Sequence, residues 1–361
     1  MTVEAKKNIL LFGNTSKLSL NILYCLRNSA FNIHYLSNNS KNAAKFSKLI
    51  ISYELVKNNS WNLNEIIDLL ISRKIDVLMP VGESEVLFIE QNKTELEKYC
   101  KCQWVTSAAN FNIAINKNLL AGVLEKMEVL VPLHVSINSK EDIIKFTSTV
   151  GFPVLIKPTR SSFGWGIKKF NSLNPLLNYF EKNKLYQKEY ILQQFIIGSD
   201  INCNVFCEHG EVICHTIQES PVRYGVNFSP HDTIAFGPDE EVISEVRKVM
   251  RKFNWHGVAN IDIRRDHRTK KIYILEINGR YWGSVIGSLT RAGLNFPDIA
   301  ANYALGFRIP INDMHEGLQI SIKKFLKSLI SLKPYSFNKT KFHSYGADPK
   351  ARLMQMIEKI R

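Results

Sequence analysis

Residues 272–284 read IYILEINGRYWGS. Ile272, Ile274 and Ile277, with Tyr273 and Leu275, form an apolar run rich in branched and aromatic side chains, which predicts a strand. A carboxylate inside such a run is costly to bury without a partner. Glu276 nevertheless stands there, and Asn278 follows two residues later, on the same face of the predicted strand. Carboxylate and amide oxygens are hard donors, the kind Mg²⁺ takes when waters and phosphate oxygens fill its other positions. Residues 257–263, GVANIDI, predict an antiparallel neighbour joined by the polar turn RRDHRTKK, with Asp262 roughly opposite Glu276. Arg280, just past the strand, adds a planar cation that can grip two oxygens. Taken alone, the cluster reads equally well as a strand-end Glu paired with Arg280 and a capping Asn.

Three upstream segments favour the first reading. Residues 153–158, PVLIKP, end a short apolar strand with Lys157; residues 161–166, SSFGWG, make a small loop with Ser161, Ser162, Gly164 and Gly166; residues 190–200, YILQQFIIGSD, run as an apolar strand into Gly198 and Asp200. A lysine, a loop rich in backbone N–H donors and an Asp/Glu/Asn cluster together describe a site for a metal–nucleotide triphosphate. Glycine lets backbone N–H groups approach phosphate oxygens closely, and the serines add hydroxyl donors.

This order of lysine strand, Ser/Gly loop, apolar hinge strand and Asp…Glu-x-Asn-x-Arg resembles the ATP-grasp superfamily. Within it the chain looks most like the carboxylate–amine ligases and the nucleotide-binding half of carbamoyl phosphate synthetases. The resemblance covers roughly residues 5–310, and ILEINGRYWGS is its most specific part. It implies ATP and Mg²⁺, with Mn²⁺ as an alternative metal, held by Asp262, Glu276 and Asn278. It implies that Lys117 and Lys157 contact the nucleotide and that Ser161, Ser162, Gly164 and Gly166 fold over the β,γ-phosphates. Gln193, Gln194, Phe195 and Ile196 would line the adenine, with backbone groups of Gln194 and Ile196 reading its edge, and Asp200 would bind the ribose. Two positions depart from the pattern: Asn116 precedes Lys117 where Asp is usual, and Gln193 stands where many members carry Glu. Arg280 and Arg223 are the candidate catalytic cations, and His231 a lesser one. Trp165, between the two glycines, would cover the nucleotide or exclude water.

The fold class expected is α/β (α+β). An N-terminal doubly wound parallel sheet would occupy residues 1–112, a lid subdomain 113–196, and an antiparallel-sheet catalytic subdomain with a basic C-terminal segment 197–361. The βαβ opening, with strands at 7–13 and 31–36 around a helix at 18–28, has one Gly at its first turn, short of the G-x-G-x-x-G dinucleotide fingerprint. Glu83 and Ser84 lie at the carboxyl end of a strand, where such sheets bind ligands, although Ser84 also reads as a helix cap. One helix is expected over 110–127, and the last stretch, 311–361, is expected to close the catalytic domain.

With 361 residues, 45% hydrophobic and 22% charged, the chain is long enough for two or three domains. Its net charge of +14 comes from scattered Lys and Arg without a stacking motif, which argues against nucleic acid. The densest lysines are Lys323, Lys324, Lys327, Lys333, Lys339 and Lys341. Six cysteines show neither Cys-x-x-Cys nor zinc spacing and read as reduced, buried side chains of a cytoplasmic protein. No run is apolar enough for a secretory leader or a membrane span. The expected activity is ATP-dependent joining of a small-molecule carboxylate to an amine, with a homodimer as the default assembly. The alternatives are an ATP-grasp kinase of a hydroxylated substrate and a non-catalytic ATP-binding module. The substrates themselves are not legible.

Overall fold

A computed structural model describes residues 6–56, 60–161, 164–187, 189–220, 232–331 and 335–358. Ser162, Arg223, His231 and Lys333 fall outside these residues, as does most of the loop 219–237. Among the described residues the strands form three sheets.

The first sheet has the order β3-β2-β1-β4-β5, all parallel, with β1 Lys7–Phe12, β2 Phe31–Ser37, β3 Ser52–Leu55, β4 Val77–Pro80 and β5 Lys101–Cys102. Its strands are apolar on both faces because helices cover both. Ile9, Leu11, Val77 and Met79 pack towards helix α1, Ser16–Leu26. Leu10, Phe12 and Leu78 pack towards α2, Leu63–Ser72, and α3, Glu83–Leu96. The expected doubly wound sheet is therefore present. Ser84 does not cap α3: Gly82 is the N-cap, and the Glu85 carboxylate accepts the Gly82 N–H at 2.8 Å.

The helix expected over 110–127 is two helices, α4 Ala108–Ala114 and α5 Lys117–Glu125. The break has a local cause. The Asn116 side chain accepts from the N–H groups of Asn118 and Leu119 at 3.1 and 3.2 Å, starting a new helix with Lys117 in its first turn. Asn does here what Asp would do.

The second sheet, order β6-β9-β7-β8, is antiparallel. Its strands are β6 His134–Ser136, β7 Val154–Pro158, β8 Lys168–Phe170 and β9 Tyr190–Gln194, covered by α6 Lys140–Val150 and α7 Leu173–Lys182 through Ile143, Leu176 and Phe180. The strand expected through Ile197 stops at Gln194, and Gly198 opens the next sheet.

The third sheet, order β14-β13-β10-β11-β12-β15, is antiparallel at every junction: β10 Gly198–Glu208, β11 Glu211–Ser220, β12 Thr233–Phe236, β13 Gly257–Asp266, β14 Ile272–Asn278 and β15 Gly317–Ile320. One face carries Ile201, Cys203, Val205, Ile217, Ile261 and Ile263 and packs on α8, Glu240–Lys252, through Val242, Val246 and Val249. The alternate residues point the other way.

After β14 come α9 Val285–Thr290 and α10 Phe296–Ala304; after β15 come α11 Ile322–Ile330, α12 Phe342–Ala347 and α13 Pro349–Glu358. The C-terminal segment does not simply close the part of the chain built on the third sheet. It crosses to the first domain, where Arg352 donates to Asn21 Oδ1 and the Leu20 carbonyl on α1 at 3.0 and 2.9 Å, and the Asp348 carboxylate accepts from Ser47. The six cysteines are buried and free, as expected. No helix among the described residues is long and apolar enough to cross a membrane.

Candidate functional site

Strand alternation builds the site. On β10, Asp200, Asn202 and Asn204 alternate with the apolar residues that face α8. On β13, Asn260, Asp262 and Arg264 do the same, and β11 adds Thr216 and Gln218. Register brings these into rows. Glu276 lies opposite Asp262, Asp262 opposite Asn202, and Asn202 opposite Gln218. One step along, Asn278, Asn260, Asn204 and Thr216 align.

β14 joins these rows only because of a bulge. Ile272 and Ile274 face α8, so strict alternation would send residues 276 and 278 the same way. The register shifts between Asp262 and Ile263, leaving Leu275 as an extra residue. Ile277 then returns to the α8 core, while Glu276 and Asn278 emerge on the polar face. The signal was present in the sequence as the three-residue step from Ile274 to Ile277.

The amides missed at the sequence level hold the acids in place. Asn202 donates its amide N–H to Asp262; its own oxygen accepts from Gln218 at 3.2 Å, and the Gln218 oxygen accepts from Ser284 at 2.8 Å. This chain fixes which end of Asn202 meets the carboxylate. In the second row Asn278, Asn260 and Asn204 donate in turn, to Asn260, Asn204 and Thr216, at 3.4, 2.9 and 3.1 Å.

Cations ring the acids. Lys117, 5% exposed, stands 3.5 Å from Glu276 and donates to the Ser161 carbonyl and hydroxyl at 3.1 and 3.3 Å. Lys157, 6% exposed, lies on β7 of the second sheet. Burial lowers its pKa to about 8, assisted by Lys117 and opposed by Glu276. Arg280 spans three elements, donating to Glu83 at 3.1 Å, the Tyr281 carbonyl at 3.0 Å and Asn278 Oδ1 at 3.2 Å. Burial, and after it the facing Glu276, raise the pKa of Asp262 to about 7, against the pull of Arg280. Two carboxylates that repel across adjacent strands, with an amide oxygen alongside, suit a hard divalent cation, which would relieve the repulsion. No group of three or more His, Cys, Asp or Glu side chains that could hold a metal occurs among the described residues, so such an ion would take further oxygens from its ligand.

These features have counterparts elsewhere. The family model described as "ATP-grasp in the biosynthetic pathway with Ter operon" matches residues 187–324, which contain the polar rows. Among solved structures, N5-carboxyaminoimidazole synthetase from Staphylococcus aureus aligns at TM-score 0.68 and 15% identity, over 92% of this chain and 88% of that one. The chain shares the fold of that enzyme. The biotin carboxylase domain of Hydrogenobacter thermophilus 2-oxoglutarate carboxylase, solved with MgADP and bicarbonate, also aligns at TM-score 0.68, with 14% identity, over 86% of this chain and 72% of that domain. In sequence, the large chain of carbamoyl phosphate synthase from Clostridium botulinum is 24% identical over 246 residues, 65% of this chain and 22% of the relative. The mitochondrial carbamoyl-phosphate synthase [ammonia] of Rattus norvegicus is 23% identical over 210 residues, 56% of this chain and 14% of that one. The chain thus spans less than a quarter of these relatives.

The remaining candidates surround the junction between the second and third sheets. Gln193 is buried on β9; the Gln194 N–H donates to the Leu133 carbonyl at 2.8 Å, and the Ile196 carbonyl accepts from Arg264 at 2.6 Å. Phe195 lies under Lys169 and Arg264, at 4.2 and 4.9 Å from its ring centroid. Asp200 pairs with Arg264. Arg264, absent from the sequence-level candidates, thus touches three of these positions. Gly164 and Gly166 both have positive φ, 72° and 76°, and a Cβ at Gly166 would come within 2.8 Å of Pro158. Trp165 between them is 77% exposed and covers nothing in this state.

Proposed function

We propose that this chain is an ADP-forming ligase of the ATP-grasp type that activates a small-molecule carboxylate as an acyl phosphate and joins it to an amine. The observation that carries the reading is the facing pair Asp262 and Glu276, with Asn278, ringed by Lys117, Lys157 and Arg280. Kinship to carbamoyl phosphate synthases and N5-carboxyaminoimidazole synthetase supports it, as does a family model described by a biosynthetic pathway.

In this reading Asp262, Glu276 and Asn278 would hold Mg²⁺, and the ion would supply positive charge to a bound triphosphate. Lys117, Lys157 and the Ser161–Gly166 loop hold the triphosphate in line. Residues 113–196 act as the lid, residues 197–361 as the catalytic subdomain, and residues 1–112 as the partner that completes the substrate site. Gln193 to Ile196 line the adenine and Asp200 the ribose. A substrate carboxylate oxygen attacks the γ-phosphorus, the bond to the β,γ-bridging oxygen breaks, and ADP leaves. The amine nitrogen then attacks the acyl carbon, the C–O bond to phosphate breaks, and phosphate and a proton depart. Arg280, and Arg223 with it, balance the negative charge of the acyl phosphate and its tetrahedral adduct. Lid closure keeps water from hydrolysing the acyl phosphate.

The test is phosphate release from Mg-ATP with pooled carboxylic acids, with and without pooled amines. The ligase reading expects release that needs both pools. ADP formation without free phosphate, triggered by an alcohol, would instead assign a kinase.

A further inference from the structure

Residues 317–347 contain Lys323, Lys324, Lys327, Lys333, Lys339 and Lys341 and no Asp or Glu. The nucleotide site uses none of these lysines. Helix α11, IKKFLKSLI, carries the first three. The fold holds this helix at one edge of the third sheet. β15 leads into it and pairs with β12. Between them, the Ser321 hydroxyl donates to the Asp232 carboxylate at 2.8 Å, and its oxygen caps the helix by accepting the Lys324 N–H at 3.1 Å. Phe325 packs inward, edge-on to Phe337 and Phe342 at 5.9 Å, and Ser328 is buried on the same side. Lys324 also turns inward, towards Thr233.

The other side of α11 is exposed. Lys323, Leu326, Lys327 and Ile330 recur there at the spacing of one helical face, with Leu329 beside them. Ile330 is 84% exposed, and Leu326, Leu329 and Phe337 lie between 45% and 56%. A lone exposed apolar side chain is ordinary, but four large ones on a helix and the turn packed against it mark a contact surface. The turn is fixed too: the Phe337 ring stacks on Phe342 with centroids 5.2 Å apart, and Arg291 donates to the Asn338 carbonyl. Lys323, Lys327 and Lys339 make no ion pair among the described residues, so the apolar patch is accompanied by cations that no carboxylate of the chain balances.

We propose that this face of α11 docks on an anionic lipid bilayer, with Leu326, Leu329, Ile330 and Phe337 entering the boundary between headgroups and acyl chains and Lys323, Lys327 and Lys339 meeting lipid phosphates. The residue types select this occupant. Protein–protein contact surfaces are rich in Arg, Trp and Tyr and poor in Lys, whereas this face holds lysines and none of those three. A nucleic acid would set Leu326 and Ile330 against phosphates without any gain from base stacking. A bilayer suits both kinds of side chain at once. The apolar ones leave water, and each ammonium reaches the charged surface on a long flexible stem. A helix this short with so few cations gives weak, reversible attachment. β15 and β14 are the two edge strands of the third sheet, so the docked face lies at the edge away from Glu276. The proposal goes beyond the ligase reading and does not depend on it.

The test is co-sedimentation of the full chain, without nucleotide, with vesicles of equimolar phosphatidylserine and phosphatidylcholine and with vesicles of phosphatidylcholine alone. The wild type should bind the anionic vesicles and leave the neutral ones largely free. Lys323→Gln/Lys327→Gln should weaken binding about 25-fold, roughly fivefold for each lysine near the surface. Leu326→Ser/Ile330→Ser should weaken it about tenfold or more, since two large apolar side chains stay in water. Lys126→Gln/Lys252→Gln removes the same charge from exposed positions after α5 and at the end of α8 and should leave binding nearly unchanged. Failure to bind anionic vesicles overturns the proposal, as does full binding by the serine variant. An equal loss in the Lys126/Lys252 variant also overturns it, because the net charge of +14 would then act without a site. A wild-type dimer that the serine variant dissociates, without vesicle binding, would assign the face to a second copy of the chain instead. All the substituted side chains are exposed, and thermal unfolding checks that each variant keeps the wild-type Tm. The readout needs no ATP turnover, so it stands whatever becomes of the ligase reading.

Discussion

The two faces of the central sheet use the same six strands to opposite ends. Towards α8, Ile201, Val205, Ile261 and Ile263 are almost wholly buried and make an ordinary core. On the reverse, the alternate residues of the same strands are Asp200, Asn202 and Asn204, then Asn260, Asp262 and Arg264. Asp262 is pushed up to about pKa 7, a state a folding core has no use for. One face gains stability by removing water from methyl groups. The other spends some of it holding like charges together until a cation arrives.

The comparison breaks most sharply at Glu276 and Ile261. Glu276→Gln keeps the volume and removes the charge. Phosphate release should fall about 100-fold or more, as when a preorganised electrostatic contact is lost, with Tm unchanged or raised. Ile261→Ala should do the reverse, lowering stability by about 2–5 kcal/mol in denaturant titrations and leaving turnover per folded molecule close to wild type. A variant set in which both changes hit stability equally would mean that the faces do not divide the labour.

A smaller effect comes from Lys157. Its lowered pKa keeps the ammonium charged below about pH 8 and neutral above. The KM for ATP should therefore climb as pH passes 8. Lys157→Arg, always charged, should flatten that rise while raising KM overall, since a guanidinium does not fit an ammonium site. A flat wild-type profile to pH 9.5 would remove Lys157 from the nucleotide contacts.

The smallest effect sharpens the picture at its edge. Asn202→Ala deletes the amide that meets Asp262 but no proposed ligand. The Mg²⁺ concentration for half-maximal activity should rise about tenfold, the usual cost of losing a supporting contact to a metal ligand. An unchanged requirement would make the polar row a bystander.

Much of this was legible beforehand. The Glu276-x-Asn278-x-Arg280 run, Lys157 at a strand end and the antiparallel neighbour that carries Asp262 were all readable from local sequence patterns. What escaped had physical reasons. Asn202, Gln218 and Arg264 sit in strands whose alternation was readable, but their roles depend on register across three strands, which no single segment reveals. The Leu275 bulge is a two-strand property. Asn116 looked like a departure from the family pattern, yet its side chain caps α5 as Asp would. The C-terminal segment, basic and apolar by turns, read as strands or helices closing the domain before it. Its anchor on α1 depends on Asp348 and Arg352, more than 300 residues from their contacts.

The central claim is that the polar face of the third sheet binds a metal–nucleotide. Calorimetric titration with the non-hydrolysable analogue AMP-PNP, with and without Mg²⁺, measures this most directly in the wild type and in the Asp262→Asn/Glu276→Gln double variant. The account predicts that Mg²⁺ strengthens wild-type binding and that the double variant, folded and at least as stable, loses this dependence. Equal Mg²⁺-dependent affinity in the two proteins would contradict it.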